Sequence, residues 1–429
     1  MALDDLVLAL QRLVDRLVRR LRLGPAPACG GRRLLIVQVD GLSRAVLEQA
    51  LAEGRMPFLA RLLRRTHRLE PMTVGLPTST PAFQMAAMFG VRPDIPGFHF
   101  HDKRRRADIY FPRGGDAALV EREQAKGRRG ILTGGSTYGC CFTGGATNNL
   151  FSVATIKRPT GRGLLTAVSA FVVLAWVIVK CLVLSAVSLL RFCLRLLADP
   201  VAGRPSGWKW FAIKVGMSVW LRELFTLSVA RDLYAGVRAV YVNYLDYDVY
   251  AHGFGPRARR ARRTLRGIDR AIHQLWRVCR RVPEHEYDLY VLSDHGQAQC
   301  VPFQEVSGGR SLAQVLFDDC LSPTAVPEAS PGRPRGRHLA SGLKAMQRHR
   351  GHGLFQRFVN YLDEDFGTTI EGDARTSERD GIRIISAGPN AFVYFLDTPD
   401  PLTLAEIEAR YPHLAENVSR VQEIGRAHV

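Results

Sequence analysis

Four short stretches of this chain hold residue types from which a cation-assisted attack by a hydroxyl group could be assembled. In Gly75–Gly90 (GLPTSTPAFQMAAMFG), Thr80 precedes Pro81, the pattern of a helix start with Thr at the N-cap and Pro at the first helical position. A hydroxyl there faces free backbone N–H groups and the positive end of the helix dipole, which suits attack on a phosphorus bearing anionic oxygens. In Asn243–Pro256 (NYLDYDVYAHGFGP), Asp248 and His252 stand four apart, so one face of a helical turn carries both and they can share a metal. Asp294 and His295 form a second, adjacent pair, and Asp40 stands before Gly41. Taken singly, each piece is more often structural than chemical. Their joint appearance at the ends of predicted elements is what points to a site.

Those elements are strands. Leu34–Val39 (LLIVQV) is a mostly apolar run ending in Asp40-Gly41. Val240–Leu245 (VYVNYL) leads into Asp246 and Asp248, and Leu289–Ser293 (LYVLS) leads into Asp294-His295-Gly296. Short continuous apolar runs of this kind are expected of parallel strands covered on both faces. In open α/β sheets ligands bind beyond the carboxyl ends of the strands, so the pattern gathers several carboxylates around one crevice. Farther on, Ile382–Ile385 and Ala391–Leu396 read as further strands and Leu402–Arg410 as a helix.

Between the first and second runs lies Leu164–Leu190, 27 residues with Lys180 as the one charge and neither Pro nor Gly. A bilayer takes about 20 such residues. If carboxylates on both sides of this segment share a site, the chain must cross a membrane an even number of times or not at all. Gly207–Ala230 follows, with Trp208, Trp210 and Trp220 among Lys209, Lys214, Arg222 and Glu223, and reads as an interfacial amphipathic segment. The expectation is a helical hairpin that dips into the membrane or lies along it. At the N-terminus, leucines and valines recur at helical spacing among Arg12, Arg16, Arg19 and Arg20, an amphipathic basic helix rather than a signal peptide.

Composition narrows the partners. Lys and Arg number 59 against 40 Asp and Glu, a net charge of +19 that suits an anionic partner such as a phosphorylated substrate or lipid headgroups. Arginines cluster at Lys103–Arg106 and from Arg257 to Arg266, but no nucleic-acid-binding module is recognisable, so specific nucleic-acid binding is not expected. The eight cysteines form no CxxC pair and read as reduced and structural.

Asp40-Gly41 after an apolar strand, Pro77-Thr78-Ser79-Thr80 ten residues before Gly90, Asp248-x-x-x-His252 with Gly255-Pro256 behind it, and Ser293-Asp294-His295-Gly296 occur in the order found in the type I phosphodiesterase/nucleotide pyrophosphatase family of the alkaline phosphatase superfamily. Val91–Phe98 (VRPDIPGF) also resembles the Pro-rich turn behind the nucleophile helix there, and the likeness covers residues 32–150 and 235–300. The resemblance implies an α/β fold, a three-layer α/β/α sandwich with a mostly parallel central sheet. It implies two divalent cations, zinc or else manganese, one held by Asp40, Thr80, Asp294 and His295, the other by Asp248, His252 and a further histidine. It also implies hydrolysis of a phosphodiester or phosphomonoester through a covalent phosphothreonine at Thr80. The absence of a Cys/Ser-x-Pro-x-Arg motif argues against the sulfatase branch.

There are departures from the family pattern. The usual aromatic-Pro-Asn after the nucleophile is replaced by Pro81-Ala82-Phe83, so Asn148 or Asn149, or backbone N–H groups, would have to hold the phosphate. Ser79 is an alternative nucleophile. The third histidine normally lies late in a Gly-His-Gly setting; Gly351-His352-Gly353 matches locally but precedes the strands expected before it. Glu423–Val429 (EIGRAHV) resembles a translated sequencing adapter, so the reading frame is expected to be truncated there, with His428 as the ligand only if the end is genuine. The expected organisation is a basic amphipathic helix (1–28), two halves of one catalytic domain (32–160 and 231–320), a helical membrane-associated insert (161–230), a Pro/Gly/Arg-rich loop (321–350), an incomplete C-terminal part of the catalytic domain (351–422) and a non-native tail (423–429). The corresponding localisation is at the inner membrane, with lipid as a partner and the catalytic domain on the cytoplasmic side. A competing reading is a membrane-anchored binding protein on the same fold that has lost catalysis.

Overall fold

The structure, a computed structural model, describes residues 4, 6–7, 9, 13, 31–111, 113–150, 164–198, 205–301, 303–321, 377–387 and 390–421. The expected Pro/Gly/Arg-rich loop, His352, the C-terminal tail and most of the N-terminal helix lie outside them. Two compact units divide the chain: residues 1–95 with 113–299, and residues 96–112 with 300–429.

The first unit is built on a five-stranded sheet in the order β5-β4-β6-β1-β7, with β1 at Arg33–Val39, β4 at Ser136–Tyr138, β5 at Asn148–Leu150, β6 at Ala239–Tyr244 and β7 at Tyr287–Leu292. Every pairing in it is parallel. The three runs expected as strands are β1, β6 and β7, and they are neighbours: β1 lies between the other two, with Val39 opposite Tyr244 and Gln38 opposite Leu292. β6 is buried along its whole length and β1 at every residue but Leu34. Burying a Val, Leu or Ile of this kind stabilises by roughly 1.5–3 kcal/mol, which is why the register of these strands is firmly set.

Nine α-helices are described in this unit, α1 (Arg44–Ala52), α2 (Pro57–Arg65), α3 (Thr80–Phe89), α4 (Gly114–Gln124), α5 (Leu164–Ala198), α6 (Pro205–Val215), α7 (Arg222–Ala235), α8 (Asp246–Phe254) and α9 (Arg259–Arg281), with a π-helical segment, Gly216–Leu221, joining α6 to α7. In α9, Leu265, Ile268, Ile272 and Leu275 recur on one face and are wholly buried. Asp269 on the same helix accepts the N–H groups of Phe58 and Leu59 at 3.0 and 2.9 Å, supplying the cap that Met56 cannot give α2.

The expected insert divides in two. α5 is a single helix of 35 residues, about 50 Å long at 1.5 Å per residue. Leu174–Leu197 within it has a mean hydropathy of 2.2 with 17% of the window buried, long and apolar enough to cross a membrane. α7 is different: Phe225, Leu227, Val229, Ala230 and Leu233 are buried and the helix packs on β4, β6 and α9. The boundary expected at residue 230 therefore falls inside a helix of the sandwich. α5 docks beside α7 through polar contacts: Lys180 bridges the carboxylates of Glu223 on α7 (2.6 Å) and Asp4 near the N-terminus (2.7 Å), and Trp220 Nε1, just before α7, donates to Ser185 Oγ (3.1 Å).

The second unit holds the hairpin β2 (His99–Asp102) and β3 (Ala107–Tyr110) and an antiparallel sheet of β8 (Ser377–Arg379), β9 (Ile382–Ala387) and β10 (Asn390–Phe395). Phe317, Cys320, Ile382, Ile384 and Phe395 form its core. The late strands read from the sequence thus form their own antiparallel sheet instead of extending the parallel one.

Candidate active site

β1 delivers Asp40 to the sheet edge, where the Asp40 N–H continues the ladder by donating to Tyr244 O at 3.1 Å. Gly41 then turns with φ 69°, and the Asp248 carboxylate occupies the space a Cβ would need. Only glycine meets both conditions. From the neighbouring strands come Asp248, on the first turn of α8 after β6, and Asp294-His295, just after β7.

The fourth contributor is α3. Its N-cap is Ser79, whose backbone is extended (φ −146°, ψ 148°), so Thr80 and Pro81 are the first two helical residues and the helix starts one residue earlier than the sequence pattern predicts. The difference has a consequence. Thr80 is already helical and its hydroxyl is not used to cap its own helix; it donates to Asp40 Oδ1 at 3.4 Å and lies 3.3 Å from His295 Nε2. Ser79 Oγ, the alternative nucleophile, is buried with no hydrogen-bond partner. A buried amide network holds α3 against the sheet. Gln84 Nε2 donates to Gln38 Oε1 (3.1 Å), which also accepts from Tyr241 Oη (2.7 Å), while Gln84 Oε1 accepts from Cys141 N (2.7 Å).

The six expected residues come together in one cluster. One oxygen or nitrogen each from Asp40, Asp248 and His295 lie within 4.8 Å of one another. His295 Nε2 is 3.4 Å from Asp40 Oδ1 and 3.6 Å from Asp294 Oδ2. His252 Nε2 is 3.3 Å from Asp248 Oδ2, the pairing expected from their i, i+4 spacing. Asp294 Oδ1 accepts the N–H of Gly41 at 3.3 Å, and its Oδ2 is buried without a hydrogen-bond partner.

Crowding three carboxylates, Asp40 and Asp294 buried and Asp248 half-buried, has electrostatic consequences. Burial raises the Asp40 carboxyl well above its ordinary range, the charges of Asp294 and Asp248 add to this, and hydrogen bonds from Asn243 and Thr80 oppose it. Asp294 is raised by burial and by Asp248, against the pull of His295 and Thr80. Burial pushes Asp248 up as well, but His252, His295 and Gln297 outweigh it and its pKa is lowered. A divalent cation would relieve this repulsion, and the residues fit one: carboxylate oxygens and imidazole nitrogens converge, and one buried oxygen lacks a partner. Mixed Asp/His donors suit zinc or manganese.

Several positioning residues are absent from the sequence reading. Asn243 Nδ2 donates to Asp40 Oδ2 at 2.7 Å, and Gln297 Nε2 donates to Asp248 Oδ1. Ser293 Oγ accepts from Leu42 N (2.9 Å) and donates to His295 O (2.8 Å), fastening the β7 turn to the β1 turn. Asp246, which reads as one more acidic residue after β6, instead forms a buried ion pair with Arg222 at 2.5 Å. Asn148, a candidate phosphate ligand, donates at the sheet edge to Tyr138 Oη (3.2 Å) and Asp232 Oδ2 (3.4 Å). A strand-end Asn or Gln gives no signal of its own in one sequence; only its tertiary partner reveals it.

Residues 201–353 match the family model for type I phosphodiesterase / nucleotide pyrophosphatase. Over that segment the chain is similar to the family, which is part of the alkaline phosphatase superfamily. The matched segment takes in Asp248, His252, Asp294 and His295, and the geometry joins to it Asp40 and Thr80 from earlier in the chain. No curated protein matches the chain. Phosphate-ester hydrolysis is the activity of the matched family, and the parallel sheet with its strand-end cluster is the α/β fold expected of it.

Proposed function

We propose that this protein hydrolyses a phosphodiester or phosphomonoester by way of a phosphothreonine at Thr80. The observation that carries the reading is the convergence of three strand ends and one helix start on the Thr80 hydroxyl, with Asp40 and His295 in contact with it. In the first step Thr80 Oγ bonds to phosphorus, the alcohol leaves with the bond electrons and takes up a proton, and Thr80 gives up its own. In the second, water attacks the same phosphorus and gives up a proton, the bond from phosphorus to Thr80 Oγ breaks with Oγ taking up a proton, and phosphate from a monoester, or a phosphate monoester from a diester, is released.

Asp40, Thr80, Asp294 and His295 would hold one divalent cation, and Asp248 and His252 with a further histidine the second. When bound, such ions lower the pKa of the attacking hydroxyl and offset the charge on the phosphoryl oxygens. Asp40 orients the hydroxyl, Asn243 fixes Asp40, and Gln297 fixes Asp248. Zinc is the expected ion, with manganese able to replace it.

The same reading places the protein at a membrane, with α5 against lipid and the catalytic unit on the cytoplasmic side. Support comes from the exposed apolar stretch Leu174–Leu197 and from topology. Asp40 and Thr80 precede α5, Asp248 and Asp294 follow it, and both sets belong to one cluster, so a lone crossing by α5 is not compatible with the site.

The test is turnover of bis-nitrophenyl phosphate by purified protein with added zinc or manganese. Wild type should release nitrophenolate, and Thr80→Ala and Asp294→Ala should not. Equal rates in wild type and Thr80→Ala would end the nucleophile assignment. Metal or phosphate binding without turnover in any protein would favour the non-catalytic binding protein instead.

A further inference from the structure

Away from the acidic cluster, and sharing no residue with it, α2 and α9 border a cavity of about 480 Å³. Arg61 and Arg65 from α2 and Arg277, Arg280 and Arg281 from α9 line it, and no carboxylate is among the lining residues. Its floor is apolar and aromatic: Phe58 and Leu62 are buried, Phe58 stacks on His273 with centroids 4.3 Å apart, and the half-buried Trp276 meets the His67 ring edge-on at 5.3 Å.

Helix ends explain part of this pattern, because both helices carry basic residues in their last turns, where the dipole favours cations. Magnitudes decide the rest. Each helix end contributes about half a negative charge, so the guanidinium groups of Arg61, Arg65 and Arg280 alone leave an excess of roughly two positive charges in one cavity. The neighbouring His273 is held below its ordinary pKa by burial, Arg277 and Arg61, with Asp269 opposing, which independently registers a positive local field. Guanidinium forks match phosphate oxygens in pairs, and an aromatic wall beside them takes the uncharged part of a ligand. The volume lies within the range of small-molecule sites, about 300–1,000 Å³.

We infer that the groove between α2 and α9 is a second binding site, for a phosphorylated anion, built from the arginine forks and the aromatic floor. The source of the phosphate group, a soluble phosphate compound or a lipid headgroup, follows from the experiment.

The test uses the detergent-solubilised full chain with EDTA present, so that divalent cations do not recruit the ligand to the acidic cluster. Calorimetric titration with pyrophosphate should show one saturable site. Arg61→Glu/Arg65→Glu/Arg280→Glu should weaken it at least about tenfold, and Arg92→Glu/Arg122→Glu/Arg129→Glu, an equal change in net charge elsewhere on the surface, by no more than about twofold. Circular dichroism checks that each variant is folded. If the triple Glu variant is not, Arg61→Gln and Arg280→Gln separately should each cost about threefold. Absence of pyrophosphate binding by wild type, or equal loss in the two triple variants, would overturn the proposal. Repeating the titration in nanodiscs separates the sources. Competition by phosphatidylglycerol discs but not by phosphatidylcholine discs supports the site as a lipid-headgroup site, and unchanged binding in both supports it as a site for a soluble phosphate.

Discussion

Two regions of this protein invert the usual rule of burial, in opposite directions. Around Thr80, Asp40 and Asp294 are almost completely shielded from solvent. Along α5, Leu182, Val183 and Leu190 are more than half exposed. Charge inside and hydrocarbon outside are both costly in water, by several kcal/mol for a buried carboxylate and about 25 cal/mol per Å² of apolar surface. The two regions resolve the cost differently. The cluster distributes it over a fixed network in which Asn243 holds Asp40, Gln297 holds Asp248 and the Gly41 N–H holds Asp294, while Ser293 ties the β7 turn to the β1 turn. Among its described residues the helix has no such network on its outer face. Among the described residues its polar contacts go two ways: Lys180 with Glu223 and Ser185 with Trp220 tie it to the start of α7 and the turn before it, and Lys180 and Trp176 hold Asp4 near the N-terminus. A rigid, crowded site suits ions and a phosphoryl group, and a featureless apolar face suits a fluid partner.

The comparison can be broken most directly on the helix. Replacing Leu182, Val183 and Leu190 by lysine adds about 2.5–3.5 kcal/mol per residue against insertion at a helix centre, so the variant should move from the membrane pellet to the soluble fraction after a carbonate wash. Unchanged pelleting would remove lipid as the partner of this face. On the site, Thr80→Ala should lower turnover by about 10³ or more while leaving the fold intact, and Thr80→Ser should keep part of it. A third substitution probes the link between the regions. Arg222 pairs with buried Asp246, two residues before Asp248, and the adjacent Glu223 pairs with Lys180 of α5. Arg222→Met strands a buried charge, and thermal unfolding should report a loss of about 3–5 kcal/mol.

The smallest effect has an unusual sign. The Asp40 carboxyl is raised above its unfolded value in the folded chain, so the folded state binds more protons and stability falls as pH rises from the ordinary carboxylate range through the raised one. Without divalent cations, Asp40→Asn should therefore be more stable than wild type at neutral pH, by on the order of 1 kcal/mol, and this advantage should vanish at low pH. Adding zinc or manganese should raise the melting temperature of wild type more than that of Asp40→Asn. A variant that is less stable under every condition would show that Asp40 acts as a structural hydrogen-bond partner and not as part of a cation site.

Much of the site was legible because its residues sit where period and punctuation are strongest. An apolar run followed by Asp-Gly, a Thr-Pro pair opening a helix, and an i, i+4 Asp/His pair are local patterns. Their positions follow from strand and helix geometry with little tertiary help. The reading fell one residue short at α3, because the choice between Ser79 and Thr80 as N-cap depends on the extended backbone of Ser79 and on where the Thr80 hydroxyl finds partners. It also took Gly207–Ala230 for an interfacial segment, since Trp and Arg among leucines look the same on a membrane surface and on a sheet. Packing of α7 on β4 and β6 separates the two, and α6 meets the helix of Asp248 and His252 directly, with Trp210 against Phe254 at 4.2 Å between ring centroids.

By itself, then, the sequence determined the residue types at the strand ends, the helical length and apolarity of α5, and the excess of arginine, all of which depend on neighbours within one or two turns. Only the tertiary structure decided that β1 lies between β6 and β7, that Asn243 and Gln297 serve the carboxylates, that Asp246 turns away to Arg222, and that arginines more than 200 positions apart line a single cavity. The physical reason is range. Hydrophobic period and turn chemistry act between adjacent residues, whereas a partner for a buried charge is set by which strands and helices the chain brings side by side.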